Sequence, residues 1–203
     1  MQSEVNGLKA YDDIATTQKI INTKELYDFG YSYYKTKQMV ASGELKRLNK
    51  KNYENLKFVG EDTEFYYLKA YIPRGVVCLM SAAVFYGLST YQPIAIDVAI
   101  NREADSAHSL PEWPIFSIYR FHTDRFEEGI EVITDGVNQF RIYDVEKTVV
   151  DIIYYRNKIG IEETKEVLTN YLRRKDRNIN KLCRYADKLK VRDILNTYME
   201  VLV

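Results

Sequence analysis

The chain has 203 residues, is 46% hydrophobic and carries 29 Lys and Arg against 29 Asp and Glu, enough for one large or two small globular cores. No run approaches the roughly 18 apolar residues that cross a bilayer, and the opening MQSEVNGLKAYDD has neither the basic start nor the apolar run of a signal peptide. A soluble, cytoplasmic protein with no membrane partner is therefore expected. The zero balance hides an uneven layout: residues 1–74 carry 12 bases against 10 acids, 75–150 carry 5 against 11, and 151–203 carry 12 against 8.

In chain order, residues 3–14 place Val5, Leu8 and Tyr11 at helical spacing. In TTQKIINTKELYDFG, Ile20 and Ile21 point inward, Thr23 is the expected N-cap of a helix over 24–29, and Gly30 stops it. Ser32 caps the next helix. There Thr36, Met39 and Val40 share one face, Gly43 ends the helix, and the opposite face presents Tyr33, Tyr34, Lys35, Lys37 and Gln38. ELKRLNKKNYENLKFV then reads as a short hairpin. Residues 61–72 are helical in pattern, closed by Pro73 and Gly75.

A second domain is expected from residue 73. VVCLM and PIAIDVAI read as buried strands, with a helix between them capped by Ser81. Strand patterns recur at IFSIYRFH, IEVIT and FRIYDV, the last two joined by an Asp-Gly turn signal. Helical patterns fill the remainder: VEKTVVDIIYYRNKI, IEETKEVLTNYLRRK, NINKLCRYADKLK and VRDILNTYMEVLV. Cys78 and Cys183 lie in apolar-periodic segments and read as two buried free thiols. With His108 and His122 the only histidines and no Cys pair at ligand spacing, no metal or other cofactor is expected.

Residues 30–51 concentrate six bases (Lys35, Lys37, Lys46, Arg47, Lys50, Lys51) against one acid, Glu44. Phosphate contacts act over roughly a Debye length of about 10 Å and do not sense the total charge. The order helix, helix, turn, basic helix, Gly, basic hairpin is that of a winged helix-turn-helix, whose second helix enters the major groove of double-stranded DNA. In that reading the six bases contact phosphates, while Tyr33, Tyr34 and Gln38 face base edges, Gln38 because an amide can pair with adenine. The alternatives are a solvated basic helix and, for the tyrosines, packing against the first helices.

The first half carries TKEL, GYS and MVASGELKRL, and the second half carries PRGVVCLMSAAVFYGLS, IYDVEKTVVDIIYY and the closing LCRYADKLKVRDILNTYMEVL. Taken together these motifs resemble the AbiEi family, antitoxins and transcriptional regulators of bacterial type IV toxin–antitoxin and phage abortive-infection systems. One departure is that the wing reads NKKNYENL, with lysines and asparagine where the family pattern has a glycine. The resemblance implies a repressor that binds inverted repeats in its own promoter as a monomer or weak dimer assembling on DNA. It also implies a nucleotidyltransferase-like toxin as functional partner, without an obligatory complex.

The motif DVEKTVVDI invites an enzyme reading, in which Asp97, Asp144 and Glu146 would hold Mg²⁺ and Lys147 would stabilise charge, as in a metal-dependent nuclease. The structural reading is stronger: Asp144 caps a helix, Glu146 favours its positive end, Thr148, Val149 and Ile152 bury, and Lys147 with Asp151 forms a surface pair. The cations Arg173, Arg174, Lys175, Arg177 and Lys181 suit a helix end, with a second contact patch as the alternative. The chain is thus expected to be an α+β non-enzyme: a winged helix-turn-helix over 1–72, then an α+β domain over 73–203 with a central sheet and C-terminal helices. The remaining alternative is a protein-interaction antitoxin module whose winged helix does not read DNA.

Overall fold

The computed structural model describes residues 16–104 and 109–202. The helix expected over 3–14, and His108, lie outside the described residues. Two compact units emerge, one running to Arg74 and including 133–140, the other made of 75–132 and the chain from 141 onward. The class is α+β, with one antiparallel sheet, one mixed sheet and helices at the C-terminal end.

In the N-terminal unit, β1 (Ile20–Asn22) leads into α1 (Thr23–Asp28) and α2 (Tyr33–Ala41), followed by β2 (Leu45–Arg47) and β3 (Asn52–Asn55). The strands form an antiparallel sheet in the order β1, β3, β2, pairing Ile21 with Tyr53 and Arg47 with Tyr53 across β3's two edges. β1 has no counterpart in the sequence reading, because three residues are too few to show alternation. The N-cap of α1 is Asn22, not Thr23. Its side chain accepts from the Glu25 backbone N–H at 2.9 Å while the Glu25 carboxylate accepts from the Asn22 N–H at 2.8 Å, a reciprocal capping box. Ser32 caps α2 as expected, accepting from the Lys35 N–H.

Both helices end on a glycine in the left-handed region, Gly30 at φ 86° and Gly43 at φ 76°. Each lets the following residue's N–H reach back five positions, Tyr31 to the Leu26 carbonyl and Glu44 to the Met39 carbonyl. These bonds set the sharp turn between the helices and the one before the hairpin. Ile21, Leu26, Tyr31, Met39, Leu45 and Tyr53 make the core of this unit. At about 1.5–3 kcal/mol for each fully buried apolar side chain, that cluster holds α1 and α2 on the sheet. The helix expected over 61–72 is shorter: Thr63 caps a 3-10 turn, Glu64–Tyr67, which continues as α3 (Leu68–Tyr71).

The C-terminal unit is built on β4 (Val76–Val77), β5 (Ile96–Asn101), β6 (Phe116–Phe121), β7 (Ile130–Asp135) and β8 (Asn138–Tyr143), in the order β6, β5, β4, β8, β7. β5 is buried along its whole length, Asp97 and Asn101 included, as befits an inner strand covered on both faces. Residues 133–140, which hold the end of β7, the turn and the start of β8, are the segment of this sheet grouped with the N-terminal unit. Helices α4 (Leu79–Phe85), α5 (Thr123–Phe126), α6 (Val145–Tyr154), α7 (Arg156–Ile159), α8 (Ile161–Arg173), α9 (Ile179–Lys188) and α10 (Arg192–Leu202) complete it. The single helix expected from VEKTVVDIIYYRNKI is therefore two, α6 and α7.

Three further expectations are corrected here. Strand VVCLM stops at Val77 and α4 begins at Leu79, so Ser81 lies inside the helix and does not cap it. The Ser81 hydroxyl instead accepts from the Asp97 backbone N–H at 2.9 Å, and the Asp97 carboxylate accepts from the Met80 N–H at 3.2 Å. A strand side chain thus does the capping. Cys78 is buried, with its thiol pushed up by burial, but Cys183 is only half-buried.

The third correction is energetic. Lys147 and Asp151 do not form a surface pair: both side chains are at 0% exposure, with Nζ 2.5 Å from Oδ2. Arg125 donates to the other carboxylate oxygen at 2.8 Å, its guanidinium lying 3.9 Å from the Tyr154 ring centroid and 4.4 Å from that of Phe121. Burial pulls the Lys147 ammonium below its usual range against the attraction of Asp151. Asp144 caps α6 as expected, accepting from the Lys147 N–H at 2.9 Å, and also receives the Tyr185 hydroxyl at 2.8 Å. Glu146 accepts from the Tyr171 hydroxyl, and Lys181 sits between Asp144 and Glu146 at 3.1 and 3.4 Å. These carboxylates are occupied by a structural network that joins α6, α8 and α9.

Candidate nucleic-acid interface

α2 presents its outer face because Thr36 and Met39 are fixed inward, and helical periodicity then turns 33, 34, 35, 37 and 38 outward. Tyr33 and Tyr34 are 81% and 71% exposed, so neither packs against the first helices. Lys35, Lys37 and Gln38 are exposed beside them. On the hairpin, Lys46 and Arg47 lie on β2, and Lys50 and Lys51 lie in the turn, all four exposed.

The hairpin turn is tight without glycine. The Asn49 side-chain oxygen accepts from the Lys51 and Asn52 backbone N–H groups at 2.9 and 3.0 Å, and its amide donates to the Ala70 carbonyl at 2.8 Å. An asparagine can fold its own side chain into the turn in this way, which frees both neighbouring lysines to point out. The Arg47 guanidinium donates back to the Asn49 carbonyl at 3.1 Å, fixing that arginine on the same turn.

A groove of about 340 Å³ runs between α2 and the hairpin, and Tyr33, Lys37, Arg47 and Lys50 all line it, together with Thr23 and the buried Tyr53. A second groove, of about 670 Å³, is lined by Lys51 together with Lys24 and Tyr27 of α1. Tyr34, Lys35, Gln38 and Lys46 line neither groove and extend the exposed surface. Lys24 and Tyr27 were missed by the sequence reading; the signal was present in their three-residue spacing opposite buried Leu26, but TKEL was read only as a helix start.

The one acid of the segment, Glu44, has partners of its own. Glu44 accepts from Lys57 at 2.7 Å and from the Ser42 hydroxyl at 2.8 Å, which holds its carboxyl below the usual range. Glu54 accepts from the Tyr67 hydroxyl at 2.6 Å and pairs with Lys19 at 3.3 Å, while Lys46 approaches it only at 3.9 Å. The cations lining the first groove keep no carboxylate partner among the described residues.

The cations of 173–181 are arranged differently. Arg174 pairs with Asp176 and donates to the Tyr86 carbonyl, and Arg177 donates to the Arg174 carbonyl. With Lys181 on Asp144 and Glu146, much of this cluster closes the end of α8, leaving Arg173 and Lys175 exposed. His122 lies 2.7 Å from the exposed Glu103 carboxylate. Among the described residues, no group of three or more His, Cys, Asp or Glu side chains is placed to hold a metal ion, and no helix is long and apolar enough to cross a membrane. No family model matches the chain, and no curated protein matches it.

Proposed function

We propose that the N-terminal unit is a winged helix-turn-helix that binds double-stranded DNA, with α2 as the recognition helix and the β2–β3 hairpin as the wing. The observation that carries this reading is the convergence of Tyr33, Lys37, Arg47 and Lys50 on one groove. The strand order supports it as well: β1 pairs with the far strand of the hairpin, which braces the wing beside α2. Lys37, Arg47, Lys50 and Lys51 neutralise phosphates, Lys35 and Lys46 flank them, and Tyr33, Tyr34 and Gln38 present the atoms that meet base edges.

The chain then acts by occupancy, as a repressor of its own promoter. Two copies bind an inverted repeat, each placing α2 in a major groove. The resemblance to AbiEi antitoxins supports the wider role, in which the repressed operon also encodes a nucleotidyltransferase-like toxin that is opposed without a stable complex. A fusion of the upstream DNA to a reporter tests this: the wild-type chain should lower expression, and a Lys37→Ala/Arg47→Ala/Lys50→Ala variant should restore it. Equal repression by both proteins would remove the groove from the mechanism.

A further inference from the structure

The C-terminal unit contains a pocket of about 270 Å³ that the DNA reading does not use. Its apolar wall is Met80, Tyr91, Pro93, Ile94 and Ile159, with Ile94 87% exposed at the mouth. The polar part is Asp97 on β5, Ser117 and Tyr119 on β6, and Lys158 on α7. Glu163 also lines it, with its carboxylate lying close over Gly160 at the start of α8.

Asp97 is the buried anion of the pocket and Lys158 its cation, and among the described residues no ion pair joins them. Asp97 is 9% exposed, accepts from the Met80 N–H and also interacts with the Tyr119 hydroxyl beside it in the pocket. Lys158 is held over the Tyr119 ring, its Nζ 4.3 Å from the centroid, so its ammonium is placed without being neutralised. An anion and a cation on one small pocket, separated by more than ion-pair distance, leave room for a molecule that carries both opposite charges. The volume lies at the lower end for ligand pockets, which suits a ligand of few heavy atoms over a nucleotide.

We propose that this pocket binds a small zwitterion of the α-amino acid class, with its ammonium on Asp97, its carboxylate on Lys158 and an apolar side chain against Tyr91 and Ile94. Burial raises the Asp97 carboxyl to about 6 against the opposing pull of its hydrogen bonds and of Lys158, and an ammonium bound directly on it would favour the carboxylate further. The inference is independent of the DNA reading, since every residue it uses lies in the other unit.

The test is calorimetric titration of the full chain with L-leucine, L-methionine and L-phenylalanine. The matched fragments of leucine, 3-methylbutylamine and 4-methylpentanoate, serve as controls. At least one amino acid should bind about tenfold more tightly than either fragment, and both Asp97→Asn and Lys158→Gln should weaken it by about as much. Lys158 is exposed, so its variant keeps the fold and remains informative if Asp97→Asn perturbs it. Failure of all three amino acids to bind at millimolar concentration, equal binding of a single-charged fragment, or affinity unchanged in Lys158→Gln would each overturn the proposal.

Discussion

Replacing Asp151 by asparagine should be among the most damaging single changes in the C-terminal unit, and more damaging than replacing its partner Lys147 by methionine. Asp151 is fully buried and accepts from two cations, Lys147 at 2.5 Å and Arg125 at 2.8 Å. Asparagine keeps the size but leaves two buried cations facing a neutral amide, and the Arg125 Nε already has no hydrogen-bond partner. Breaking a buried pair by removing one partner costs about 3–5 kcal/mol, a fifth or more of the roughly 5–15 kcal/mol that holds a domain together. Lys147→Met leaves Asp151 paired with Arg125 and puts a flexible apolar chain against the Tyr143 and Phe121 rings, where the ammonium now sits at 4.1 and 5.3 Å. Its cost should be about half as large or less. Urea unfolding of the full chain, followed by far-UV circular dichroism and by the fluorescence of the single Trp113, measures both. A loss under about 1 kcal/mol for Asp151→Asn, or equal losses for the two variants, would refute the argument that the anion is the scarce partner.

Gly129 sits at φ 72°, where an added Cβ would lie 2.8 Å from both the Asp144 carboxylate and the Lys147 Cβ. Gly129→Ala should therefore destabilise by more than about 1 kcal/mol, read as a lower urea midpoint, whereas Gly136→Ala meets open space and bears only the strain of its left-handed turn. Asn49→Ala removes the acceptor that closes the hairpin turn; a loss of about 1–2 kcal/mol is expected, together with weaker DNA binding from Lys50 and Lys51 that are no longer fixed. Asp97 gives a pH signature. Its folded pKa of about 6 lies above the unfolded value, so the folded state holds the extra proton between about pH 4 and 6 and Asp97 lowers stability as pH rises through that window. Asp97→Asn, which can still accept from Met80, should flatten that part of the pH profile and raise the pH 7 stability by up to about 3 kcal/mol, checked by denaturation from pH 4 to 8.

The elements that were legible in the sequence are those whose signals are local. Ser32, the inward Thr36 and Met39, and the stop at Gly43 lie within twelve residues and define α2 together. β5 announced itself by the run PIAIDVAI, apolar but for Asp97, and the strand it gives is buried on both faces. β1 did not, because Ile20, Ile21 and Asn22 become a strand only when β3 arrives some thirty residues later. Lys147 and Asp151 were misjudged because four-residue spacing looks the same on a surface as in a core. What buries them is Arg125, Tyr143 and Phe121, brought from other parts of the chain. Ser81 was misread for a similar reason: its helix is capped from a neighbouring strand by Asp97, a partner sixteen residues away that no local motif announces.

The site shows the same division. The exposed face of α2 followed from periodicity alone, and so did the basic hairpin. The grouping did not: that Tyr33, Lys37, Arg47 and Lys50 share one groove while Lys51 joins Lys24 and Tyr27 in another depends on the angle of the hairpin, which the Asn49 turn sets.

The central claim, that this groove binds DNA by charge and reads its sequence, is tested most directly by one titration. Fluorescence anisotropy with the DNA upstream of this gene and with a scrambled duplex, at several salt concentrations, separates the two components. The account predicts tighter binding to the upstream DNA, and affinity for both duplexes that falls as salt rises. If Lys37, Arg47 and Lys50 each displace one counterion, their triple alanine variant should flatten the slope of log K against log salt by about 2.7. Equal, weak binding of the two duplexes, or a salt slope unchanged in the variant, would contradict it.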